Sequence, residues 1–210
     1  MKLLTAFVSL LASGALAKPL AGVPATGTQA PQFAPPGWQL EGATPCELNG
    51  DAMPDLLIVL IESPKDADRK RALVWVYGTA TGYSLVDSNV GLLAPLNGLG
   101  INGGDAAPEV EVSKRVVSIT LTGGSADAYG TVHRFRFDKG VVRLIGVERS
   151  NYSRNTLEQN NTSENLLTGV LETSYEPPQD DKKKKAWKKR ETKPVRAPVP
   201  LRDVVEYERE

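Results

Sequence analysis

Cysteine and histidine are almost missing from this chain: Cys46 and His133 are the only examples in 210 residues. A lone thiol closes no intramolecular disulfide, and one thiol with one imidazole cannot furnish a cysteine-based zinc or iron–sulfur site. Charge of one sign is not in excess either, with 25 Lys+Arg against 25 Asp+Glu. The basic surplus of a dedicated nucleic-acid binder is therefore absent from the total. No apolar run approaches the roughly 20 residues that span a bilayer as a helix. Nor does any stretch keep a 3.6-residue apolar period, so helices should be few and short. The glycines of Leu99 to Gly104 do not form G-x-G-x-x-G, and Gly123-Gly124-Ser125-Ala126 lacks the order of a nucleophile elbow. These gaps argue against an enzyme.

What is present begins with an address. Met1-Lys2 is followed by an apolar run from Leu3 to Ala12, then by the small-x-small pattern Ala15-Leu16-Ala17. That order reads as a signal peptide over residues 1–17, cut before Lys18, and implies an exported, periplasmic or secreted, bacterial protein. Residues 18–37, rich in Pro and Ala and without period, read as an extended linker. A β-rich domain is expected over 38–176 and a basic, Pro-containing tail over 177–210. The two parts are oppositely charged. Lys18 to Glu176 carries 13 basic and 18 acidic residues, whereas Pro177 to Lys193 carries 8 and 3, so the balanced total hides −5 and +5.

The strand pattern is strong. Asp55 to Glu62 (DLLIVLIE) is continuously apolar, as in a strand buried on both faces, and Ala72 to Tyr77 (ALVWVY) follows it. A weaker strand is expected at Tyr83 to Asp87. Arg115 to Thr122 and Thr131 to Asp138 alternate, and the turn Lys139-Gly140 joins the latter to Val141 to Glu148 as a hairpin. Arg149 to Glu164 is polar and reads as a long hairpin or loop, with a last strand within Leu166 to Ser174. The expected fold is mainly β: a single antiparallel curved sheet or sandwich, with few short helices and disordered termini. His133 shares a strand face with Phe135 and Phe137, which suits a core-edge histidine better than a general base. Glu109 and Glu111 suit an exposed strand face.

Glu47-Leu48-Asn49-Gly50-Asp51-Ala52-Met53-Pro54-Asp55 leads straight into the apolar strand. Oxygen side chains at positions 1, 3, 5 and 9 of a tight loop can converge on a hard cation. The segment resembles the D-x-N-x-D-G-x-x-D loop of FG-GAP/VCBS-type repeats, which implies Glu47, Asn49, Asp51 and Asp55 as ligands of a calcium ion. Two departures stand out: Glu47 replaces an Asp, and Ala52 stands where the family has Gly. The other reading is a cation-free turn in which Asn49 and Asp51 bond the loop's own amides. No second copy of the loop exists, so the chain is not a propeller. Arg71 to Tyr77, Gly123-Gly124-Ser125, Phe135 to Gly140, Leu144-Ile145-Gly146 and Asn165 to Gly169 extend the likeness. Their order is similar to that of exported bacterial proteins of unassigned function with one degenerate loop of this kind. Beside the loop, Cys46 has no His, Lys or Arg neighbour in sequence and reads as a buried, apolar-like residue.

Lys182, Lys183, Lys184, Lys185, Trp187, Lys188, Lys189 and Arg190 form the other distinctive segment. Lysines with an embedded indole suit an anionic envelope surface, while a solvated charged segment is the plainer reading. The expected function is a non-enzymatic exported binding or envelope-interaction module, with no nucleic-acid partner and no transmembrane span after processing. An inhibitor or immunity-type protein presenting Leu96 to Ala107 to a secreted hydrolase is the second reading, and a hydrolase the third.

Overall fold

The computed structural model describes residues 19–63, 69–93, 108–138, 140–181 and 183–204. The expected signal peptide and the loop Leu96 to Ala107 lie outside the described residues.

A strand apolar on both faces must be covered twice, and Asp55 to Glu62 shows how. In β3 (Asp55–Glu62), Leu57 and Val59 point to one side while Leu56, Ile58 and Leu60 point to the other. β3 lies in a five-stranded antiparallel sheet with β1 (Thr26–Gly27), β2 (Trp38–Cys46), β4 (Arg71–Thr79) and β5 (Gly82–Val90), in the order β1-β5-β4-β3-β2. The second sheet is curled and antiparallel. It runs β12 (Trp187–Thr192), β11 (Val170–Glu176), β10 (Gln159–Asn165), β9 (Val141–Ser153), β8 (Asp127–Asp138), β7 (Val116–Gly124), β6 (Glu109–Ser113), with β13 (Val199–Pro200) beside β9. The only helical elements among the described residues are two 3₁₀ turns, Ala30–Phe33 and Leu201–Asp203. The fold is mainly β, as the period-two pattern implies.

The main core lies between the sheets. Leu57, Leu73 and Trp75 from the first meet Val117, Ile119, Phe135 and Val147 from the second. Tyr77 and Phe137 make an edge-to-face contact across the layers, ring centroids 5.1 Å apart. His133 is buried on this inner face beside Phe135, matching the strand phase. The second core covers the opposite face of β3 and β4, and its lid is the segment expected to be a linker. Phe33 is completely buried against Ile58, Leu60 and Val74, with Leu20, Val23 and Ala34 around it. Leu85 N donates to Ala25 O at 2.8 Å and Leu20 N to Ser88 Oγ at 3.0 Å. A Pro/Ala-rich composition does not betray this role, because one aromatic anchor on an extended strap suffices to cover a short sheet.

The C-terminal segment departs from the tail reading in the same way. The second half of its basic stretch, from Trp187, lies in β12, paired with β11 from Val170↔Thr192 to Tyr175↔Trp187. Beyond it, Leu201 and Val204 are buried in the main core. Asn89, fully buried, donates Nδ2 to the carbonyls of Leu201 (2.6 Å) and Val204 (2.9 Å) and accepts from Leu92 N (2.8 Å). Arg202 Nε lies 3.3 Å from Asp87 Oδ1. A polar group buried so deeply is tolerable because each of its bonds is made.

Phe33→Ala should lower the unfolding free energy by about 3–5 kcal/mol, the usual cost of an aromatic truncation in a packed core. Urea unfolding checks it, and an unchanged midpoint would mean that residues 19–37 do not cover the sheet.

Candidate functional site

The loop Glu47 to Asp55 joins β2 to β3, and its geometry follows from its own amides. Glu47 Oε1 accepts from Gly50 N at 2.5 Å and Oε2 from Ala52 N at 2.9 Å. Asn49 Oδ1 accepts from Asp51 N, and Asp51 Oδ1 from Met53 N, at 2.9 and 2.8 Å. Asn49 Nδ2 donates to Asp51 Oδ2 at 2.9 Å. These are nested Asx-type turns, the arrangement such residues favour without a cation. Ala52 carries φ of +63°, so the backbone keeps the left-handed turn for which the resembled loop uses glycine. Arg115, in the β6–β7 turn, reaches over the loop: a Cβ placed on Gly50 would fall 2.6 Å from its Nη1. The protein thus lays a cation of its own across this acidic turn.

Asp55 stands apart from the other three. It is completely buried, its Oδ2 accepting from Leu48 N at 2.7 Å and its Oδ1 from Gly78 N at 2.8 Å. One carboxylate therefore closes the loop and ties it to the end of β4. Burial pushes its pKa above the ordinary 3.8, against the pull of the two amides. A proton is then held more tightly by the folded chain, so the contribution of Asp55 to stability falls as pH rises through the window above 3.8 and is constant beyond it. Among the described residues, no three His, Cys, Asp or Glu side chains converge as metal ligands would. Neighbouring Cys46 is half-buried, and desolvation first, then the Asp55 charge, lifts its thiol to about 12. It stays protonated and inert at neutral pH.

Trp187, Lys188, Lys189 and Arg190 lie on the edge strand β12, and Lys183 to Lys185 in the turn before it. Lys182 lies outside the described residues; the others divide by partner. Lys184 Nζ donates to Glu158 Oε1 at 2.5 Å, the same oxygen to which Tyr175 donates its hydroxyl at 2.6 Å. Those bonds, that of Lys184 foremost, hold Glu158 down at about 2. Lys188 and Arg190 share Glu172 on the outer face, and Lys189 pairs with Glu191. All three remain about two-thirds exposed, at 65%, 66% and 68%. Lys183 and Lys185 have no ion-pair partner among the described residues. Trp187 is half exposed and stacks on Tyr175, centroids 6.3 Å apart and planes 24° from parallel.

An open groove of about 430 Å³ runs from this edge along the outer face of the curled sheet. Thr120, Thr122, Ser150, Asn161 and Ser163 line it, with Lys188 at the β12 end. Sequence reading of Arg149 to Glu164 as a polar hairpin did not reveal this groove, because its residues meet only through register: Glu148↔Ser163↔Glu172 form one row across three strands. Compared with protein-family models, with curated proteins and with solved structures, the chain matches none.

Two outcomes test the loop. Asp55→Asn replaces one acceptor by a donor facing a buried N–H, and should cost about 1–3 kcal/mol in chemical unfolding. Millimolar calcium should leave the melting temperature unchanged if the amides alone hold the turn. A bound ion would raise stability by RT ln(1+[L]/Kd) and restore the cation reading.

Proposed function

We propose that the protein is a non-enzymatic exported binding module that meets anionic envelope surfaces through β12 and the turn before it. The observation that carries this reading is the half-exposed Trp187, held on Tyr175 in the midst of Lys183, Lys185, Lys188, Lys189 and Arg190. An indole gains most at a headgroup boundary, and each lysine near an anionic bilayer is worth about 1 kcal/mol. The pairs to Glu172 and Glu191 do not cancel this. Exposed ion pairs contribute little and open readily when a denser anionic surface is near. Lys184 is the exception, because its bond to Glu158 is reinforced by Tyr175. Holding Lys188, Lys189 and Arg190 on a strand also lowers the ordering cost that a loose tail would incur on binding.

Two features support binding over chemistry. His133 is a core residue, and the carboxylate of Asp55 is committed to two amides. No helix among the described residues is long and apolar enough to cross a membrane.

Co-sedimentation with vesicles tests the reading. The protein should partition onto phosphatidylglycerol and not onto phosphatidylcholine, with binding that weakens as salt rises. Lys183→Glu with Lys185→Glu should reduce partitioning at least about tenfold, and Trp187→Ala by a smaller factor. Equal retention on both lipids, or indifference to the double reversal, would refute it.

A further inference from the structure

A row of side chains crosses five strands of the curled sheet. Register sets Tyr129 of β8 beside Asn151 of β9, and Asn151 beside Asn160 of β10. Asn160 in turn lies beside Tyr175 of β11, and Tyr175 beside Trp187 of β12. Alternation puts all five on the side of the sheet that Thr131 and Val147 continue into the interior, opposite the groove of Thr120 and Ser150. Residues 193–198, the strap leading into β13, close a cleft of about 400 Å³ with Leu144 and Val147 on that side, and none of the five lines it. The row lies open. Tyr129 is 38% exposed, and Asn151 and Asn160 are exposed with no hydrogen bond to their side-chain amides among the described residues.

Adjacent strands lie about 4.8 Å apart, so the row runs roughly 19 Å along the sheet from Tyr129 to Trp187. Aromatic rings stand at its two ends and amides between them. A pyranose ring offers an apolar C–H face and a rim of hydroxyls. The first packs on an aromatic ring, and the second meets an amide that both donates and accepts. The β12 end of the row is basic on any count. Pro177 to Lys193 carries eight basic and three acidic residues. Glu158 and Glu172, which bond Lys184, Lys188 and Arg190, and Glu176 at the end of β11 reduce the excess to two without abolishing it. The turn before β12 sits against the row, because Lys184 and Tyr175 share Glu158 Oε1. From this we infer that the row binds an extended acidic polysaccharide, a chain of linked uronic-acid pyranoses. Its ring faces rest on Tyr129 and Trp187, its hydroxyls meet Asn151 and Asn160, and its carboxylates face Lys183, Lys185 and Lys189. The inference rests on the reading of β12 as an anion-binding strand and names the chemistry that strand meets. A lone phosphate or lipid headgroup would engage only the β12 end, and a neutral glycan would leave the lysines unmatched.

Calorimetric titration of the full chain with a galacturonate hexamer in calcium-free buffer tests the assignment. Saturable binding is expected, at least tenfold weaker for the monomer and for the methyl-esterified hexamer. Tyr129→Ala and Asn160→Asp, both at exposed positions away from β12, should each weaken the hexamer at least tenfold without shifting the melting temperature. Tyr129→Ala should also leave retention on phosphatidylglycerol vesicles unchanged, whereas Lys183→Glu with Lys185→Glu should weaken hexamer and vesicle binding together. Vesicle retention without hexamer binding, or hexamer affinity indifferent to either row variant, would overturn this inference and leave the surface reading standing. Indifference of both ligands to the lysine reversal would overturn both. A thymidylate hexamer bound as tightly as the galacturonate would overturn the inference by making the ligand a nucleic acid.

Discussion

Everything in this fold answers to the double-faced burial of β3 and β4. A strand with one apolar face needs one partner layer, but Leu56 to Ile61 and Ala72 to Val76 are buried on both sides. The curled second sheet supplies one cover and the segment carrying Phe33 the other. The same constraint fixes register, because sliding either strand by one residue would exchange two differently shaped cores. It also explains why a carboxylate can sit at the mouth of β3. Asp55 is tolerated there because Leu48 N and Gly78 N arrive with the flanking chain, and their bonds offset much of the desolvation.

Polar residues mark where the sheets end. Lys188, Lys189 and Arg190 occupy the outermost strand at one edge of the larger sheet, and Glu109 and Glu111 the other. Charged edge strands resist pairing with foreign strands, so part of the basic stretch is accounted for by protecting an open edge. What that role leaves unexplained is the indole among the lysines. An edge needs no exposed tryptophan stacked on a tyrosine, so edge protection accounts for the lysines and not for Trp187.

The interior was more legible in the amino-acid order than the margins. The runs at Asp55 to Glu62 and Ala72 to Tyr77 and the hairpin about Gly140 declare themselves, since burial there is set by local pattern alone. β2 does not, because Gly42 and Thr44 take inward positions of an otherwise strict alternation and Pro45 weakens the strand signal. β12 is opaque for another reason: lysine-rich sequence has little strand propensity, and only the ladder to β11 makes it extended. The strap and its cleft depend on Gly169 meeting Lys193, a contact between residues 24 apart that no periodicity encodes. In the acidic loop the residue types were readable, but not that Asp55 would part company with Glu47, Asn49 and Asp51 to become an interior brace.

The clamp of Asn89 on Leu201 and Val204 has a bearing on how the chain matures. Its two halves are 112 and 115 positions apart, so the latch belongs to the long-range contacts that must be brought together across the chain before the sandwich is complete. Because the same two residues are buried in the main core and take both amide hydrogens of Asn89, the latch and the packing between the sheets close together.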